Sequence, residues 1–327
     1  MVASLRTLFP GLLSAVTVAL AAKFISEHYG APVMLMALLI GMAFAFLAEG
    51  GGVTASGIEF ASKKLLRFGV ALLGLGITFQ QIMALGIEVF VLTIVAVLLT
   101  IGFGPILSRA LGRRTRFGLL IGGAVGICGA SAALAISSVL PKSETLERDT
   151  VFTVIAVTLL STVAMILYPV IAGWLQLTDV ETGVFFGATI HDVAQVVGAG
   201  YTVSDEAGET ATFVKLLRVA LLVPVVITLS LIFAGQQEGP RNLPVPVFVL
   251  GFAALVVAGS LSLVPEGVKL VLLDLSRWCL ITAIAALGMK TSLKKLGDIG
   301  GSAIALVCAL TVLLAGFVLA CIHFLMT

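Results

Sequence analysis

His191, Asp192 and Gln195 stand within five positions of one another, inside an apolar stretch that Gly187, Gly198 and Gly200 flank closely. Ionisable groups at membrane depth are expensive, so a chain that keeps two adjacent ones is read as using them. His and Asp both exchange protons, which suits proton coupling, and His191 and Asp192 are the candidate coupling residues. On a helix His191 and Gln195, four apart, share a face, and Asp192 and Gln195, three apart, nearly do. Thr189 is placed to cap a half-helix beginning near His191. The plainer alternative is a structural hydrogen-bond network with neutral His191 and with Asp192 capping backbone N–H groups.

A second stretch, Gly122 to Ala132, has the same small, helix-breaking character. Where a membrane helix breaks, the first N–H groups of its second half point into the gap and carry partial positive charge. An anion can bind there without any basic side chain. Cys128, Gly129, Ala130 and Ser131 suit that role, Gly129 by allowing close approach and Ser131 by adding a hydroxyl. Gly122 to Gly126 read instead as a close-packing surface, and Cys128 reads as a small filler and not a nucleophile.

Lys64-Leu65-Leu66-Arg67 recurs as Lys215-Leu216-Leu217-Arg218, each at the start of an apolar run. Such residues ordinarily anchor a helix at the interface. Arg218, with Pro224 two turns on and on the side where basic residues are scarce, is a candidate to face the interior and attract an anion. Lys290 is the next basic candidate. Asp274 and Arg277, three apart, are placed to neutralise one another.

These residues need a membrane scaffold, and the composition supplies one. Of 327 residues 60% are hydrophobic and 11% charged, against about 25% charged in soluble domains. Eleven apolar segments approach the ~20 residues of a spanning helix: 10–28, 31–48, 62–82, 87–109, 117–140, 149–174, 182–200, 212–235, 244–263, 268–290 and 299–326. The fifth and seventh are the interrupted ones. The first resembles a signal peptide but lacks a small-residue cleavage site, so it is read as a retained helix. The longest polar connection is the acidic Ser204 to Glu209. Twelve basic residues fall on the N-terminal side of this topology, with Arg113-Arg114-Thr115-Arg116 the strongest cluster, and six fall opposite, Lys142, Arg148, Lys215 and Arg218 among them. The N-terminus is therefore expected in the cytoplasm and the C-terminus outside. Leu73 to Ile82 aligns with Leu287 to Leu296, Leu66-Arg67-Phe68 with Ser276-Arg277-Trp278, and Gly41 with Gly251. These place an inverted repeat within 31–110 and 241–326. The four cysteines have no metal-ligand spacing, and no hydrolase, metalloprotease or nucleotide-loop motif competes.

The Gly-Ala-Thr-Ile-His-Asp-Val-Ala-Gln-Val segment, Gly126 to Ala132, Leu65 to Phe79 and Leu287-Gly288-Met289-Lys290-Thr291 together resemble the sulfate exporter family of bacterial inner-membrane proteins, the YeiH type. The resemblance covers nearly the whole chain. It implies a transporter related to bile-acid symporters, all-α, built from a panel and a core with two crossing discontinuous helices. The family pattern has a basic residue near the end of the third helix where this chain has Gly76.

The expectation is one transmembrane transporter domain in the bacterial inner membrane, not an enzyme. It moves sulfate or a related sulfur oxyanion by alternating access, with a proton or sodium ion as coupling partner and the lipid bilayer as surroundings. No cofactor, metal or nucleic acid is expected, and a homodimer is left open. A sodium-coupled organic-anion carrier and, from another class, an intramembrane enzyme are the alternatives.

Overall fold

The computed structural model describes residues 5–48, 52–143, 145–233, 247–291 and 301–325. Every regular element among them is helical. The chain begins with α1 (Leu5–Tyr29), α2 (Val33–Ala43) and a 3₁₀ turn (Ala45–Ala48). One helical path then runs through α3 (Ala55–Phe60), a π-helical turn (Ala61–Leu65) and α4 (Leu66–Leu73). Next come α5 (Phe79–Ala84), α6 (Gly86–Ala110), α7 (Thr115–Gly126), α8 (Ala130–Val139) and α9 (Leu146–Trp174). The second half holds α10 (Asp179–Thr189), α11 (Val193–Val203), α12 (Asp205–Ala220), α13 (Leu222–Ile232), α14 (Val247–Ser260), α15 (Glu266–Lys290) and α16 (Gly301–Leu325). Six stretches are long and apolar enough to cross a bilayer: Arg6–Tyr29, Gly86–Ala110, Leu146–Trp174, Asp205–Ile232, Glu266–Lys290 and Gly301–Phe324.

The two interrupted segments do not cross the molecule. They fold back as hairpins. In the first, α7 lies antiparallel to α6, with Gly118 on Gly104 and Gly122 on Thr100 in backbone contacts that leave no room for a Cβ. The chain turns at 127–129, and α8 returns beside α7 so that Ile136 fills the space over Gly123. Arg114, before α7, then donates to the Thr145 hydroxyl, after α8, at 3.3 Å. In the second, Gly183 of α10 and Gly200 of α11 both rest on Ala207 of α12. The expected pair of crossing discontinuous helices, at 117–140 and 182–200, is therefore corrected to two re-entrant hairpins. Each has two short arms, of 12 and 10 residues in the first and 11 and 11 in the second. At ~1.5 Å per residue each arm reaches only about half the bilayer core.

The hairpins enter from opposite ends. The first begins at the arginine end, where Arg113 also bonds the Ser302 hydroxyl at the start of α16 (2.9 Å) and Arg116 lies over Phe233 at the end of α13. The second begins across the molecule, after α9 has traversed it. Gln81 there donates to Glu209 at 3.2 Å, and the Phe79 amide donates to Ser260 at 2.9 Å. The fifth and seventh of the eleven expected crossings are therefore hairpins, and six of the other nine expected segments contain a described stretch long and apolar enough to span a bilayer. Lys142 and Arg148, expected opposite the arginine cluster, lie beside it.

Two segment boundaries also change. The helix expected at 62–82 starts at Ala55 and stops at Leu73, where successive i→i+3 bonds from Gly74, Leu75 and Gly76 tighten the chain into a turn. Thr78 then opens α5 with a capping box shared with Gln81. The acidic stretch taken as a loop is the first turns of α12: Ser204 accepts the Ala207 amide at 3.0 Å, and Asp205 and Glu206 sit where a helix N-terminus favours negative charge. The aligned stretches at 73–82 and 287–296 differ in conformation. Leu287 to Lys290 continues α15, while residues 292–296, with Lys294, Lys295 and Arg241 of the charge count, lie outside the described residues.

Packing sorts the helices into two groups. α1, α2, α3–α4, α14 and α15 pack on one another, sealed where Gly41 of α2 meets Gly288 of α15 backbone to backbone. The hairpins, α6, α9, α12 and α16 form the second group. A cavity of about 750 Å³ lies between the groups.

Candidate functional site

The hairpin tips meet in the interior. Gly129 has φ 62° and ψ −122°, a conformation that only glycine adopts without strain, and it carries the sharp turn between α7 and α8. A Cβ there would lie 3.5 Å from the His191 carbonyl oxygen, so the two tips touch. Each tip holds two helix ends of opposite polarity: the C-terminus of the arm coming in and the N-terminus of the arm going out.

The C-terminal carbonyls face α12. Lys215 Nζ donates to the carbonyls of Ile127 (2.7 Å), Ile190 (2.9 Å) and His191 (2.6 Å). Arg218 donates from Nε to Gly126 (2.8 Å), from one terminal nitrogen to Gly187 (3.0 Å) and Ile190 (3.1 Å), and from the other to Val125 (2.7 Å). Both side chains are fully buried. Burying two cations is costly in itself. It is offset here by six carbonyl groups and by the partial negative charge of two helix C-termini. Arg218 was expected to attract an anion. Its donors are spent on these carbonyls and it does not line the cavity, so that expectation is corrected.

The N-terminal ends face the cavity. Cys128, Ala130 and Ser131 from the first tip and Asp192, Val193 and Ala194 from the second all line it. Asp192 occupies the position before α11 with an extended backbone and makes no side-chain capping bond, while its own amide donates to Ser161 at 3.0 Å. The opening N–H groups of α8 and α11 have no partner within their own helices. On the facing wall stand Lys63, Lys64, Arg67 and Lys290. Lys290 and Lys63 both pair with Glu59 at the rim, and Arg67 lies over the Phe248 ring, 5.6 Å from its centroid. Lys64, expected as an interfacial anchor, is part of this wall. Four basic side chains and two helix N-termini, against Asp192 in the lining and Glu59 at the rim, leave the cavity electropositive.

His191 and Gln195 stand behind the wall, almost fully buried. His191 Nε2 meets the Thr311 hydroxyl at 2.9 Å. That hydroxyl donates to Val307, so the ring is assigned as the Nε2–H donor, with Nδ1 an acceptor. Gln195 Nε2 donates to Thr162 at 3.3 Å. His191 Nδ1 and Gln195 Oε1 are the buried side-chain atoms without a partner among the described residues. Thr189 was expected to cap the second half-helix. Its hydroxyl instead turns back to the Phe185 carbonyl, because Ile190 and His191 intervene before α11 starts. Arg277 pairs with Asp205 at 2.9 Å, not with Asp274 on its own helix.

The structure thus joins Cys128 to Ser131 and Asp192 at one cavity, with Gly129 shaping the turn. It keeps His191 and Gln195 one layer back and assigns Arg218 to the scaffold. The sequence reading missed Lys215, Lys63 and Arg67.

Helices with this apolar surface, two re-entrant hairpins and a cavity that charged side chains line in part define a polytopic membrane protein. The chain belongs to the family described as conserved hypothetical protein 698, whose profile matches residues 10–307. It is 56% identical to the UPF0324 membrane protein CT0845 of Chlorobaculum tepidum, over 95% of this chain and 88% of that one. It is 53% identical to the UPF0324 membrane protein TauZ of Paracoccus denitrificans, over 96% of this chain and 95% of that one. To the UPF0324 membrane protein RB0971 of Rhizobium meliloti it is 53% identical, over 98% and 94%.

Proposed function

We propose that the protein is a secondary transporter of a small anion, with sulfate or a related sulfur oxyanion as the leading substrate from the resemblance to sulfate exporters. The observation that carries this reading is the cavity between the two helix groups, where the N-termini of α8 and α11 face Lys64, Arg67 and Lys290. Backbone N–H groups and a Ser131 hydroxyl are the donors that oxyanions need, and the basic wall raises the local anion concentration.

The distribution of Lys and Arg supports a cytoplasmic arginine end. By the course of the helices, Arg6, Lys63, Lys64, Arg67, Arg109, Arg113, Arg114, Arg116, Lys142, Arg148 and Lys290 fall towards that end, against Lys23, Lys269 and Arg277 towards the other. This contrast is sharper than the sequence count, because Lys142 and Arg148 change sides and Lys215 and Arg218 leave the tally for the interior. The cavity then faces the cytoplasm, the N-terminus is cytoplasmic and the C-terminus outside. Alternating access follows if the hairpin group moves against the other group and carries the tips across.

Asp192 supplies the coupling. Its carboxylate, beside the opening N–H groups of α11, repels an anion held there, and protonation removes the repulsion, so anion and proton bind together. No step of covalent chemistry is needed, and we propose a carrier and not an enzyme.

The test is thermal unfolding of the purified protein with sulfate, thiosulfate and a sulfonate, each against chloride at equal ionic strength. One of them should raise the midpoint saturably, and Arg67→Gln should need a much higher concentration of it for the same rise. Equal shifts in both proteins would mark a general salt effect and defeat the reading.

A further inference from the structure

Where two helix C-termini converge in an apolar interior, their carbonyl groups make a site for a cation. Broken-helix carriers place coupling ions at such ends. Here that site exists at the hairpin tips, and its oxygens are already committed. Ile127, Ile190 and His191 surround Lys215 Nζ at 2.6–2.9 Å, one acceptor for each ammonium hydrogen. A neutral amine has only two hydrogens to give, so the three-carbonyl arrangement is made for the charged form. Arg218, one helical turn on, occupies the remaining tip carbonyls.

We propose that the Lys215 ammonium is a resident cation, tethered in the place of an exchangeable alkali ion, and that the protein therefore takes no sodium ion at the tips. Three observations converge on this: full burial of the side chain, saturation of its donors by carbonyls alone, and contribution of those carbonyls by both hairpins. The tether also locks the tips together, since Nζ bonds Ile127 of one and Ile190 and His191 of the other. Gln195 Oε1 remains as an unpaired buried oxygen among the described residues, a single ligand where an alkali ion needs several. Applied to coupling, the inference rests on the transporter reading above and leaves the proton at Asp192 as the coupling ion. As a statement about cation binding it stands alone.

The experiment is thermal unfolding of the purified full chain in sodium, potassium or choline chloride at constant ionic strength, a measurement that needs no transport. The wild type should unfold at one temperature in all three salts. Lys215→Ala opens the space and leaves the carbonyls. It should be less stable in choline and regain about 5 °C or more, saturably, with sodium, potassium or methylammonium. Lys215→Met fills the space without charge and should be destabilised but not rescued. A saturable sodium-specific stabilisation of the wild type overturns the proposal, whatever the variants do. So does a Lys215→Ala protein as stable as the wild type, or one that responds to cations no more than Lys215→Met. If neither variant accumulates, the wild-type comparison decides: equal midpoints uphold the resident cation, and a sodium-specific rise refutes it.

Discussion

Arg114 and Thr145 are hydrogen-bonded at 3.3 Å although α7 and α8 lie between them in the chain. That contact requires both ends of the first hairpin to lie at one membrane face. In a background without the native cysteines, Ser143→Cys and Arg113→Cys should react with a membrane-impermeant maleimide only from the cytoplasmic side, and Thr178→Cys only from outside. Labelling of position 143 from outside would restore a crossing helix in place of the hairpin.

Arg218 satisfies four carbonyls, two at the end of each incoming arm. A buried acceptor left unpaired costs about 1–3 kcal/mol, and a native protein has a margin of only about 5–15 kcal/mol. Arg218→Leu should therefore fail to yield a monodisperse protein in detergent, and Arg218→Lys should recover part of the yield. Normal yield of the Leu variant with unaltered anion binding would show that the clamp is dispensable.

Gly129 is held at positive φ against the His191 backbone. Gly129→Ala should cost about 1–3 kcal/mol, read as a lower unfolding midpoint, and should weaken anion binding by moving the first N–H groups of α8. An Ala130→Gly protein, changed one residue later, should lose much less.

How far the sequence led is visible in particular residues. The tips were legible, because glycines beside His191, Asp192 and Ser131 in an apolar run mark a helix break that exposes polar groups away from lipid. The direction of the chain beyond each tip was not. Apolar arms of 10–12 residues look the same whether the next arm continues or returns, and only tertiary contacts, Gly123 with Ile136 and Arg114 with Thr145, decide. Lys215 was missed because the helix start was placed too late. Once Ser204-Asp205-Glu206 is recognised as a cap with an acidic first turn, Lys215 moves from the membrane interface to the third turn of α12. Two cations three apart within an apolar helix are then the signal for a buried clamp. The basic wall could be seen as charges but not as a wall, since α4 and α15 meet α8 and α11 only in the fold.

Ser131 lines the cavity at the first turn of α8. A neutral hydrogen bond contributes about 0.5–1.5 kcal/mol net, so Ser131→Ala should weaken anion affinity roughly 2- to 10-fold. Arg67→Gln should weaken it more and flatten its dependence on ionic strength. Titration calorimetry of both variants against the anion that stabilises the wild type checks the pair. Unchanged affinity in both would move the site away from this cavity.

The most direct measurement is uptake of radiolabelled sulfate into proteoliposomes at several internal and external pH values, with wild type and Asp192→Asn side by side and sodium absent. The wild type should show saturable uptake that an inward proton gradient accelerates. Asp192→Asn should remain folded and bind the anion, yet lose the response to the gradient. Wild-type uptake no greater than in protein-free liposomes for sulfate, thiosulfate and a sulfonate alike would contradict the transporter. An Asp192→Asn protein with the wild-type rate and pH profile would contradict the coupling role of the hairpin tip.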